Sequence, residues 1–177
     1  MTAATSGKVI TGKVRFSFAK QLYVPKANDK GINKYSVTAL IPKTDKATYQ
    51  RMCDAAEFIK RSKFPGKDED FYKAQPRTIH DGDGVKPSTG EKYGAECKGC
   101  WVVSVASNER PEVVDADTQP LLEQINSGDY GRVSLNAYWF DTGANKGVTF
   151  GLNNVQLLER GERIDGRTDA VTDFGEF

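Results

Sequence analysis

Between residues 132 and 140 the chain alternates without a break. Val133, Leu135, Ala137 and Trp139 share one parity, and Arg132, Ser134, Asn136, Tyr138 and Phe140 share the other. Successive side chains of an extended strand point to opposite faces, so a period of two demands a half-buried strand and is incompatible with an amphipathic helix. The period recurs at 8–19, where Ile10, Val14, Phe16 and Phe18 oppose Thr11, Lys13, Arg15 and Ser17. It recurs again at 34–41, with Tyr35, Val37, Ala39 and Ile41 inward and Pro42 as the stop. A fourth extended run is CWVVSVAS, 100–107, whose valines fall on both parities. The last run, 147–158, starts with Val148, Phe150 and Leu152 and continues with Val155 and Leu157, so its parity changes; a bulge between 151 and 154 accounts for the change.

One segment has the other period. Tyr49, Met52, Cys53, Ala56 and Ile59 repeat at helical spacing after a capping Thr44 or Asp45, and Lys60, Arg61 and Lys63 sit where a helix C-terminus favours cations. The remainder reads as loop: a basic stretch at 20–34 broken by Pro25 and Gly31, a long polar stretch at 64–99, and a turn-rich stretch at 108–128 with a short helix expected at 121–125. Five strands, one inserted helix and long loops predict an all-β fold, an oligonucleotide-binding (OB) five-stranded barrel, with a small sandwich or an α+β meander as alternatives. A length of 177 residues suits one domain that buries about 70% of its unfolded surface without staples.

The chemistry of the chain is sparse. A single histidine, His80, leaves no second imidazole for acid–base work, and neither a Walker-type phosphate loop, a dinucleotide fingerprint nor a zinc-protease helix is present. The carboxylates Asp68, Glu69, Asp70, Asp81, Asp83, Asp115 and Asp117 could serve a magnesium nuclease, but their spacing fits no such motif and solvated loop acids are preferred. Cys97 and Cys100 have the C-x-x-C spacing of a zinc knuckle, with His80 and Cys53 as further ligands; the second closely spaced pair is missing, so reduced thiols and no metal or other cofactor are expected. The DGDG at 81–84 lacks the distal ligands of a calcium loop and reads as a turn. Three cysteines and no secretory leader point to a reducing cytoplasm, and no run reaches the ~20 apolar residues of a membrane helix, so no membrane partner is expected.

Charge is distributed unevenly. Residues 1–110 hold 20 Lys and Arg against 12 Asp and Glu, residues 111–177 hold 5 against 12, and the formal +1 of the whole conceals both. A single strand of nucleic acid is held by a basic groove with aromatics on which bases stack. Lys13 and Arg15 on the outward parity of the first strand, Lys20, Tyr23 and Lys26 in the next loop, Lys34 at the second strand, and Arg132, Tyr138 and Phe140 on the outward parity of the fourth supply candidates for such a face. The end of the chain, DGRTDAVTDFGEF, is acidic and too poor in apolar residues to offset its ordering entropy. The expected division is therefore a binding domain at 1–164 and a disordered acidic tail at 165–177 able to dock on a basic surface.

The segments IHDGDG (79–84), GCWVVSVASNERPEVVD (99–115), SGDYGRVSLNAYWFD (127–141) and GVTFGLNNVQLLERGERI (147–164) resemble a bacteriophage family of single-stranded-DNA-binding replication proteins, over about residues 8–177. The resemblance implies an OB-fold, a non-enzymatic and sequence-independent grip on single-stranded DNA, and a role in phage replication and recombination in the host cytoplasm. The tail is similar to those of bacterial and phage single-strand binders that end in acids and Phe. This maps a partner-binding role, recruiting replication proteins, onto Asp173, Phe174, Glu176 and Phe177. Other readings are a ring-forming strand-annealing recombination protein, a metal-dependent nuclease and a structural virion protein.

Overall fold

A computed structural model describes residues 6–167 and 173–175. The strands in chain order are β1 (Lys8–Ile10), β2 (Val14–Ser17), β3 (Lys26–Ala27), β4 (Asn33–Pro42), β5 (His80–Asp81), β6 (Cys100–Ser107), β7 (Glu112–Val114), β8 (Tyr130–Asp141) and β9 (Lys146–Glu159). Two helices, α1 (Lys46–Lys63) and α2 (Glu69–Ala74), lie between β4 and β5.

Pairing runs β2–β4–β6–β9–β8 and returns to β2, so five strands close on themselves as an OB barrel. The ring is uneven. β6 and β9 are parallel and meet only at Ala106 and Gly151. Below that point residues 76–81 are wedged between them: Arg77 bridges Val148 on one side, and His80 and Asp81 pair with Val102 and Trp101 on the other. The polar stretch 64–99, expected to be largely loop, therefore supplies α2 and a strap that seals the barrel. Its polar composition is that of a segment stabilised by backbone bonds such as Thr78 N to Val148 O, 3.0 Å, with little apolar area of its own.

The core is built from the inward parities. Val133, Leu135 and Ala137 of β8 face Val148, Phe150, Leu152 and Val155 of β9, with Val37, Ala39 and Ile41 of β4 and Val103 and Val105 of β6 beside them. The expected bulge in β9 lies at Asn153, where the partners of Ser134 and Leu135 jump from Asn154 to Leu152. The helix is capped by Asp45, which accepts from Thr48 N at 3.1 Å, and it buries Met52, Ala55 and Ala56 against β8, β1 and β9. Trp139 is half-buried rather than fully so, its ring edge-on to Phe64 at 4.9 Å between ring centres.

Two expectations are corrected. No helix forms at 121–125; the chain there is irregular after β7, which pairs in parallel with β9. The first strand is two. Gly12 donates to Thr48 Oγ1 at 2.8 Å, and Thr11 turns inward so that its hydroxyl accepts from Val133 N at 3.0 Å. That break changes the parity: Val9, Thr11, Val14 and Phe16 are buried, whereas Ile10 and Phe18, expected inside, are 46% and 64% exposed.

Candidate nucleic-acid interface

β4 and β6 are the second and third strands of the barrel, and they are buried on both faces at one end. Thr38 and Leu40 alternate with the core residues of β4, and Val102 and Ser104 with those of β6, so all four point outward. Thr38 Oγ1 and Ser104 Oγ lie 3.2 Å apart. Residues 82–99 fold back over this face, placing Cys97 and Tyr93 on Leu40 and Val102 as a small second cluster. The return is tight. Gly82 donates to Cys100 O at 2.9 Å, and a side chain there would collide with the Cys97 and Cys100 carbonyls.

An open groove of about 410 Å³ remains. Its floor is Thr38, Leu40, Val102 and Ser104, and Ser17, Phe18, His80, Lys86, Tyr93 and Glu96 also line it. Burial holds the His80 imidazole below its ordinary value and pushes the Tyr93 phenol and the Cys97 thiol up. An apolar floor with hydroxyls, two aromatic rings and a lysine can hold unpaired bases and one or more phosphates. In five-stranded barrels of this order, oligonucleotides bind the outer face of the second and third strands and the loops joining first to second and fourth to fifth. A second hollow, about 420 Å³, adjoins the first and shares Ser17, Phe18 and Glu96 with it. Its wall includes Lys20, Arg163 and Arg167.

The residues expected on the interface are dispersed. Lys13 forms an ion pair with Glu159 and stands 5.1 Å over the Tyr130 ring. Arg15 donates to Gly128 O at 3.1 Å and Glu162 O at 2.7 Å and stacks on the same ring. Lys20 lines the second hollow. The Tyr23 hydroxyl accepts from Ile125 N at 2.8 Å, and burial raises its pKa. Lys26 and Lys34 face each other across the β3–β4 hairpin. Arg132 donates to Thr11 O at 3.0 Å. Tyr138, 46% exposed, covers Gly151, and Phe140 is half-buried. In the acidic tail Phe174 is 81% exposed; Glu176 and Phe177 lie outside the described residues.

Phe18, His80, Lys86 and Tyr93 were not visible as a group in the sequence. Tyr93 between Lys92 and the nearby Lys98, in the long loop that precedes the strand at 100–107, was the available signal; Phe18 had none, because its parity placed it in the core.

The other candidate chemistries find different places. Lys43 Nζ binds Asp81 at 2.6 Å and Asp83 at 2.8 Å, which holds both carboxyls low, and Asp81 accepts from Asp83 N as in a turn. Cys53 is on α1. Among the described residues no group of three or more His, Cys, Asp or Glu is arranged to hold a metal ion. No helix among them is long and apolar enough to cross a membrane.

Comparison with known proteins gives a family and a set of structures. A comparison with curated protein sequences gives no match. Among solved structures, the single-stranded DNA-binding protein from bacteriophage Enc34 in complex with ssDNA has a TM-score of 0.72 and 23% identity over 89% of each chain. The same phage protein in another structure has a TM-score of 0.69 and 25% identity, over 96% of this chain and 90% of that one. The single-stranded DNA binding protein encoded by bacteriophage T7 has a TM-score of 0.56 and 16% identity over 97% and 96%. The model of the Enterobacter phage Enc34 ssDNA-binding protein family matches residues 7–177, nearly the whole of the sequence, and the chain belongs to that family.

Proposed function

We propose that this chain binds single-stranded DNA without regard to sequence, in phage replication and recombination, in the host cytoplasm and without catalysis. The observation that carries the reading is the groove on the outer face of β4 and β6, with its apolar floor, aromatic rims and Lys86. The family to which the chain belongs supports it, as does the ssDNA complex of the Enc34 protein. Base faces stacked on aromatic rings are read without distinguishing one base from another, and phosphates bound to Lys and Arg carry no sequence information.

In this reading residues 1–164 are the binding domain. Phe18, Tyr93 and His80 meet bases, and Lys86 meets phosphate. Lys20, Lys26 and Lys34, in and after the segment that follows Phe18, are further phosphate contacts. Tyr138 and Phe140 are stacking positions for a strand that continues round the barrel. Lys13, Arg15, Tyr23 and Arg132 bind the protein's own groups and contribute to the face chiefly by shaping it. Residues 165–177 form the acidic tail, and Asp173, Phe174, Glu176 and Phe177 recruit replication partners.

Titration of oligo-dT at increasing salt tests the function. Affinity is expected to fall steeply, log K losing about 0.7 per log unit of salt for each phosphate neutralised, and to be weaker for duplex of the same length. Salt-independent binding or a preference for duplex refutes it. Incubation of labelled single strands with the protein and magnesium is expected to leave them intact, and cleavage would show an enzyme.

A further inference from the structure

Phe18 is held in a costly conformation at the boundary between the two hollows. Its φ is 55° and ψ 38°, left-handed values that a bulky side chain rarely adopts. Such a residue is strained and persists only where its surroundings over-determine it. They do so here. Phe16 O accepts from Gly128 N at 2.8 Å, Ala19 N donates to Ser127 Oγ at 3.0 Å, and Phe18 O caps the 3-10 turn of Ala19–Leu22, whose Ala19 and Leu22 are fully buried. Regular strand parity would send this ring into the core after Phe16. The left-handed turn sends it outward instead, 64% exposed between two buried neighbours, Ser17 and Ala19. Burial therefore offers no return for the strain.

The ring's position offers one. Phe18 lines both hollows, about 410 and 420 Å³, and among the described residues is the only large apolar side chain they share. Lys86 stands in the first; Lys20, Arg163 and Arg167 stand in the second, where Arg163 also binds Asp165 at 2.7 Å. Among the described residues neither Lys20 nor Lys86 has an ion pair. A single strand crossing the ridge would have a cation for its phosphates on either side and an aromatic ring between consecutive bases.

The geometry points to Phe18 as a wedge between two adjacent bases of bound single-stranded DNA, one base in each hollow. The inference rests on the DNA-binding function proposed above and assigns its central contact. An aromatic wedge separates stacked neighbours and replaces their contact by stacking on its own faces, which suits every base equally. The strained backbone holds the ring outward before DNA arrives, so its ordering cost is not borne at binding.

Three variants test this: Phe18→Gly, which relieves the left-handed strain, Phe18→Ala, which keeps it, and Phe18→Tyr, which keeps a ring. Each is measured for oligo-dT affinity and for thermal stability. The Gly variant is expected to melt at or above the wild-type temperature and to bind about tenfold or more weakly; the Ala variant is expected to bind as weakly, and the Tyr variant to bind as wild type. Oligo-dT carrying two adjacent 2-aminopurines, quenched by their mutual stacking, is expected to brighten when saturated with wild-type protein and to stay dark with the Gly variant. Binding of the Gly variant within about threefold of wild type, a fall in its melting temperature, or equal brightening overturns the wedge. If wild-type protein fails to bind oligo-dT at low salt, the DNA-binding function itself fails, an outcome distinct from the loss of the wedge alone.

Discussion

Two basic and aromatic regions of the barrel's exterior differ in what their side chains already hold. On the side of β2 and β8, Lys13 is paired with Glu159, Arg15 with the Gly128 and Glu162 carbonyls, and Arg132 with the Thr11 carbonyl. Those contacts fasten the segment from Thr11 to Arg15 to β8 and the turn before it, to the end of β9 and to the chain that follows β9. On the side of β4 and β6, Phe18, Tyr93 and Lys86 surround an open groove, and Lys86 has no ion pair among the described residues. An outward-pointing cation is thus not by itself an available one. A charge whose hydrogen bonds are satisfied by the fold must give them up before it can neutralise a phosphate, and that cost is subtracted from affinity.

The contrast is sharpest in two rings two residues apart. Phe16, completely buried beside Val14, is core, whereas Phe18 is not. Phe16→Ala is expected to cost about 3–5 kcal/mol in a urea melt. Phe18→Ala is expected to leave stability nearly unchanged. Equal costs would erase the distinction between core and groove.

A smaller loss is expected for Arg15→Ala. It leaves two carbonyls without their charged donor, a change of about 1–3 kcal/mol, reduced by the solvent exposure of the site. The slope of log K against log salt should stay at the wild-type value. A shallower slope would put Arg15 on the phosphate track and break the comparison. Lys86→Ala should do the reverse, flattening the slope by about 0.7 while the melting temperature holds.

The smallest effect concerns pH. Burial lowers the His80 pKa from 6.5. As pH falls, the unfolded chain takes up its proton first, so stability is lost as pH drops through about 6.5 and the loss ends below the folded value. Phosphate in the groove would favour the charged imidazole, so oligo-dT affinity should rise over the same interval. His80→Gln should remove both trends, which paired melts and titrations between pH 7.5 and 5 would register. A trend that survives in His80→Gln belongs to another group.

How much of this was legible in the sequence varies by segment. The β8 alternation, the bulge in β9, the bounds of β6 and the Asp45 cap were all readable, because each depends on a local period or a local hydrogen bond. The strap at 76–81 was not. Its bonds go to Val148 and Val102, partners distant in sequence, and its own composition is that of a loop. The outward apolar residues Leu40 and Val102 gain their cover only when residues 82–99 fold over them.

The sequence by itself determined the class of fold, the five principal strands and the single long helix. It also determined the excess of cations in the first 110 residues and the family resemblance. These follow from periodicity, capping and composition, which act over a few residues or over the whole chain without regard to position. Only the tertiary structure decided which outward side chains are open. Closing the barrel brought Glu159, Gly128 and Glu162 to Lys13 and Arg15, and left Lys86 beside a groove. It also turned Phe18 outward, because burying Ser17 beside the groove floor and Ala19 in the core leaves a left-handed residue as the link between them. Both outcomes depend on contacts separated by up to 147 residues in the chain, which no local pattern encodes.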